Sequence, residues 1–372
     1  MTGALSALSE AYALPGWSAD PKGICMPDAV VASLRRAMVP ATRPIFEKHL
    51  ELSQKGAVPE LNRHRILIEA PRLPWEESCR LVVASLLPTV PVLSERARAV
   101  VDDKKRWKIL AAEAGDCWGR CHYPEDPSKE KAFIEFGSDG TLSDAVYIAP
   151  QLGHLLAGDL SQERKRTGPD YFPQRHLAEL QGYFLQHALY AYLMQDLRPL
   201  LIRGAAGRHF VAEITRSIYD SALAVAALEA HRQAEKGARE GAIRSQCEET
   251  LQKMLGRNWA SFEHARWLAA EGAEQATPVQ NMVWGIHGHA GSALIGAGLF
   301  ARYQIAKPEQ RDAIVEALYC SGNKNTILDV LAAAGVTSET ELDKFMDDAI
   351  WAAADPLQQI YAEERKNRTR QA

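Results

Sequence analysis

A chain of 372 residues with 47% apolar content is long enough to bury a substantial core, in one large domain or two ordinary ones. Lys and Arg (43) nearly balance Asp and Glu (47), and a formal net charge of −4 excludes a general electrostatic grip on nucleic acid or on an anionic membrane. Six cysteines without the spacing of a disulfide framework fit a reducing compartment, and an N-terminus lacking a basic leader before an apolar run reads as cytoplasmic.

Residues 27–54 place apolar side chains three and four apart, with Pro40 and Pro44 interrupting the run. A helix is predicted from Pro74, where proline in the first turn loses no helical bond, and another over 93–110. "CWGRCH" (117–122) is one residue too wide for a haem-attachment motif and has no second pair to complete a zinc site, so its thiols read as buried at an edge. "KAFIEF" (131–136) alternates and ends at the turn "GSDG", the best strand candidate. Thr141 as N-cap, with Asp144 in the first turn, starts a helix at Leu142 that runs through Leu156. Pro150 falls about two turns inside it, where it removes the donor to the Val146 carbonyl at a cost of about 3 kcal/mol. A second helix opens at Pro173 and carries "HLAELQGYFLQHALY". There His176, Glu179, Tyr183, Gln186, His187 and Tyr190 recur at helical spacing, which by residue type alone is a hydrogen-bonded polar seam in a helical core.

Further amphipathic stretches follow over 209–235, 239–272, 308–320 and 338–366. Ser338 with Glu341 forms a capping box, and Gly335 is the predicted C-cap of "NTILDVLAAA". The uncharged stretch 275–301 carries Pro278, Gln280, Asn281, His287 and His289, which suit a buried helical hairpin rather than a membrane span. Its glycines follow no strand and precede no Lys-Ser/Thr pair, so they read as close helix packing and not as a phosphate loop. The basic tail 363–372, "EERKNRTRQA", is a solvated end or an export or docking signal. With no repeat and no linker, the chain reads as one mainly α domain over 1–372 with a small β element.

Three segments in order resemble the thimet oligopeptidase and oligoendopeptidase F family of zinc metallopeptidases, and its oligoendopeptidase F branch most closely. "FIEFGSDGTLSDAVYIAPQLGHLLAGDL" resembles the family's strand, turn and active-site helix, N-F-x-G-T-L-x-D-V-x-T-L-A-H-E-L-G-H. "LYCSGNKNTILDVLAAAGV" (318–336) resembles its late helix-turn-helix, and "FEKHLELSQKGAVPELNRHRI" (46–66) its lead-in segment, so the match spans about 27–355. The resemblance implies a zincin-like helical metallopeptidase catalytic fold with a small β-sheet beside the active-site helix. It also implies an N-terminally shortened member whose groove is more open than the family's deep channel.

Carried over position by position, the resemblance puts Pro150 in place of the first zinc-binding histidine, His154 at the second, and Glu179, 25 residues further on, at the third ligand. Gln151 takes the place of the general base, and a neutral amide takes no proton from water at useful pH. The family's His and Tyr cluster, which supports the oxyanion, corresponds to "IHGHAGSALIG" (286–296), with His287 and His289 but no tyrosine. The implied function is a catalytically inactive homologue, without a cofactor. It would bind a peptide, a protein segment or a homologous active subunit in a groove lined by Tyr183, His187, His287 and His289. Two alternatives stay open at this point. One is a repurposed metalloenzyme holding zinc, iron or manganese through His154, His176 and Glu179. The other is a weakly active zinc oligopeptidase.

Overall fold

The computed structural model describes residues 71–113, 117–124, 126–165, 171, 175–195, 290–320, 322 and 324–352, with parts of 29–37 and 202–249. Helix α1 (Trp75–Thr89) begins behind Pro74, whose carbonyl accepts the amides of Glu77 and Ser78 at 2.9 Å, and it buries Cys79, Val82, Val83 and Leu86. Helix α2 (Pro91–Asp102) opens with proline in its first turn. The helix expected over 93–110 stops there. A 3-10 turn, Lys104–Arg106, follows, and Trp107–Ala111 is strand β1. Asp103 is extended and its carboxylate takes the Lys105 amide at 3.1 Å, after which the backbone pairs across to a distant strand instead of along the chain.

Strands β1, β2 (Trp118–His122) and β3 (Phe133–Ser138) form a sheet in the order β1-β3-β2, with β1 parallel and β2 antiparallel to β3. The predicted strand is therefore the central one, starting two residues late and running into the turn. Ile134 and Phe136 face the core. Trp75 packs against Trp107 and Phe136 with ring centroids 5.5 and 5.1 Å apart, fastening α1 to the sheet.

Helix α3 (Leu142–Glu163) starts where its cap predicts, with the Thr141 hydroxyl accepting the Ser143 amide at 3.2 Å. It continues without a break through Pro150. Helix α4 (Arg175–Leu193) packs across it so closely that a Cβ on Gly153 would lie 2.7 Å from the Gln181 carbonyl oxygen. Helix α5 (Ala290–Ile305) covers α4, with Gly296 against Tyr183. Residues 291–300 are all buried, as a buried hairpin requires of that part of 275–301. Helices α6 (Pro308–Tyr319), α7 (Ile327–Ala333) and α8 (339–352) complete the described fold. Phe184 of α4 sits among Phe300, Tyr303 and Tyr319 at 5.8, 5.5 and 6.4 Å, joining α4, α5 and α6 in one core.

The late caps form as read. Gly335 lies at φ +81°, and the Val336 amide reaches back to the Leu331 carbonyl at 2.9 Å. Ser338 and Glu341 exchange bonds of 3.0 and 3.2 Å. No described helix is long and apolar enough to cross a membrane. Of the helices expected over 27–54, 209–235, 239–272 and 338–366, the parts at 38–54, 218–235, 250–272 and 353–366 lie outside the described residues, as does the tail 363–372.

Candidate functional site

The turn between β3 and α3 sets where the site's helix begins, and Asp144 is its fastening. Its buried carboxylate accepts from Ser138 Oγ at 2.6 Å, the Asp139 and Gly140 amides at 3.1 and 3.2 Å, and Cys117 Sγ at 3.2 Å. Asp139 in turn accepts from the Thr141 amide and hydroxyl at 3.0 and 2.8 Å. Cys117, Asp139 and Asp144 are the one set of three metal-type donors among the described residues whose ligand atoms lie within 4.8 Å of one another. Burial, then the bond to Asp144, pushes the Cys117 thiol up, so it stays protonated and donates. The bonds of all three help hold the turn together.

From Leu142 to Gly158, α3 is buried except at Tyr147, Pro150, Gln151 and His154. Positions 147, 150, 151 and 154 follow the helical repeat, a single stripe along one side of the helix. β2 flanks it: a Cβ on Gly119 would come 2.6 Å from Cγ and Cδ of Gln151, so the glutamine lies directly on the strand's backbone. Its Oε1 is buried and meets no hydrogen-bond partner among the described residues. On the opposite side Pro150 rests on α4, its Cβ 3.0 Å from where a Gly182 Cβ would stand. The Val146 carbonyl, deprived of its donor by Pro150, receives Nε2 of the buried Gln186 at 3.5 Å, a long bond that offsets part of the proline's cost.

Glu179 is partly exposed on α4, and its charge reaches the Tyr123 hydroxyl. Burial first, then Cys121, Tyr171 and Glu179, hold Tyr123 well above the ordinary tyrosine range. Tyr123 and Tyr171 meet edge-on at 6.1 Å beside Gly158, where a Cβ would be 3.0 Å from the Tyr171 oxygen. Beneath them the buried Arg106 pairs with Asp159 at 3.0 Å.

The fold thus brings Pro150, Gln151 and His154 onto one wall. Tyr183 is buried with its backbone against Gly296. His187, expected in the groove, is instead buried between α4 and α5, with Nε2 3.1 Å from the Ala293 carbonyl. Burial pulls its pKa down to about 4, against weaker opposing effects of that bond and of Glu213, so the ring is neutral and donates. The side chain of His176, and residues 287 and 289, lie outside the described residues. Gly119, Tyr123, Tyr147 and His209 belong to the site's surroundings and are absent from the sequence reading. Tyr147 alone had a signal, four residues before Gln151 and seven before His154 on a predicted helix.

A catalytic zinc needs three protein donors and an open vertex. Pro150 has no side-chain lone pair, and no third described His, Cys, Asp or Glu joins His154 and Glu179 within a metal's reach. The described donors do not fit a catalytic zinc.

No protein-family model matches the chain, and no curated protein matches it. Solved structures do. The oligoendopeptidase-F from Enterococcus faecium superposes with a TM-score of 0.57 at 14% identity, over 98% of this chain and 60% of that one. PZ peptidase A gives 0.58 at 13% identity, over 96% and 61%. A protein classed as an oligoendopeptidase F from Bacillus anthracis str. Ames gives 0.56 at 12% identity, over 96% and 59%. The chain therefore spans about three fifths of the length of the structures it matches. With a strand, turn and stripe-bearing helix laid out as the sequence resemblance implied, and peptidase structures superposing along nearly its whole length, this chain has the fold of the oligoendopeptidase F metallopeptidases.

Proposed function

We propose that this chain is a non-catalytic metallopeptidase homologue that binds a peptide, a protein segment or a partner subunit in the former active-site groove, along the open stripe of α3 with β2 at its side. One observation carries the reading. Where the family it resembles places a zinc-binding histidine and a general base, Pro150 is packed onto Gly182 and Gln151 is laid over Gly119. Proline offers a metal no side-chain lone pair, and the neutral glutamine amide does not take a proton from water. What remains suits recognition. β2 is an edge strand among the described residues, and an edge presents a row of backbone donors and acceptors to which an extended segment can add.

The test is a fluorescein-labelled random nonapeptide pool, followed by anisotropy and then by mass spectrometry after prolonged incubation. Saturable binding with the peptides recovered intact is expected. Cleavage that disappears in Glu179→Ala would show a working peptidase and end the proposal. Metal analysis of protein purified without an affinity tag is expected to find less than stoichiometric zinc, iron and manganese. A full equivalent that vanishes in His154→Ala would point to the repurposed metalloenzyme instead.

A further inference from the structure

Tyr147, at the far end of the open stripe from His154, belongs to a second cluster. The ring of His209 stands edge-on to it, with centroids 6.1 Å apart and planes at 87°. Beneath both lies Tyr190, its hydroxyl 2.6 Å from His209 Nδ1 and its ring 6.0 Å from the imidazole. Phe210 closes the base, 5.0 Å from Tyr190 and 6.0 Å from His187. Glu213 follows His209 by one helical turn, and its negative charge is felt by both His187 and Tyr190. Tyr190, His187 and Phe210 are buried, whereas Tyr147, His209 and Glu213 reach solvent in part. The result is an aromatic corner around the Tyr190–His209 bond, with the partly exposed Glu213 near enough for its charge to act on Tyr190 and His187.

Tyrosine faces attract a cation held within about 6 Å of the ring centroid, and a neighbouring carboxylate adds to that attraction. We infer that this corner receives the cationic side chain, arginine or lysine, of a segment lying in the groove; the assignment rests on the peptide-binding reading above. Tyr147 and His154 are separated by about 10 Å along the helix at 1.5 Å per residue. An extended chain covers that span in about three residues. The basic residue would thus sit about three positions from the one opposite His154.

Two labelled nonapeptide pools decide it, one with a single arginine and one with citrulline, its neutral isostere, in the same place. The arginine pool is expected to bind at least tenfold more tightly. That preference should fall below twofold in Glu213→Gln and in Tyr147→Leu, and persist in Tyr147→Phe, which keeps the ring. Thermal midpoints of the variants confirm that each is folded. Equal binding of the two pools overturns the corner and leaves the groove reading standing. If neither pool binds, the groove reading falls, and titration with Nα-acetyl-arginine methylamide tests the corner alone. A saturable response lost in Glu213→Gln supports a cation site, and no response overturns it. Tetramethylammonium binding as tightly as the arginine amide would overturn the assignment to a side chain.

Discussion

Pro150 concentrates the conflict between local and tertiary preference. Helix propensity opposes it, yet Gly182 leaves room for its ring and Gln186 reaches the carbonyl it orphans. Replacing it with alanine restores the helical donor to Val146, so Pro150→Ala is expected to raise stability by about 1–2 kcal/mol in urea unfolding. An unchanged midpoint would mean that Gly182 packing and Gln186 already compensate in full. The double change Pro150→His with Gln151→Glu supplies the missing donor type, and a zinc equivalent absent from the parent is expected by metal analysis after dialysis. At His187 the prediction concerns pH. Its pKa falls from 6.5 in the unfolded chain to about 4 in the fold, so the unfolded state takes up the proton first. Stability is complete above about pH 6.5 and is lost as pH falls towards 4, by on the order of 3 kcal/mol in all. His187→Gln keeps a donor for Ala293 but does not titrate, so its urea midpoints at pH 7.5 and pH 5 should differ less than the parent's.

Among elements, the α3–α4 crossing governs the site, because it sets how far Gln151 and His154 stand from Glu179. Two glycines make that crossing possible. In Gly153→Ala the new methyl would meet the Gln181 carbonyl at 2.7 Å, backbone that cannot swing aside, and a loss of about 1–3 kcal/mol is expected in urea unfolding. A change below 0.5 kcal/mol would show that the helices slide apart freely, with the stripe then less firmly placed than its packing implies. The sheet shows where local reading fails. β1 is exposed at four of its five residues and β2 is partly open along its length, so neither carries the two-residue alternation that marked β3. Their pairing with β3 joins residues distant in sequence, such as Trp107 with Ile134, and no window along the chain contains both.

For the whole molecule, signals confined to one or two turns could be read directly. The Thr141 start, the capping box at Ser338 and the Gly335 stop depend on dihedral preferences and bonds within a few residues, and all three form. That Pro150 offers no side-chain donor and Gln151 no basic group is likewise a matter of side-chain chemistry, independent of folding. The fate of each polar group was not written locally. His187 and His154 are both histidines on predicted helices, yet one is sealed against Ala293 while the other is only partly covered, because burial depends on which helix arrives from elsewhere in the chain. The same holds for the Tyr147, Tyr190 and His209 corner, assembled from three helical segments. Residue identity alone determined that positions 150 and 151 carry neither an imidazole nor a carboxylate; only tertiary packing, which places distant side chains within bonding distance, decided what surrounds them.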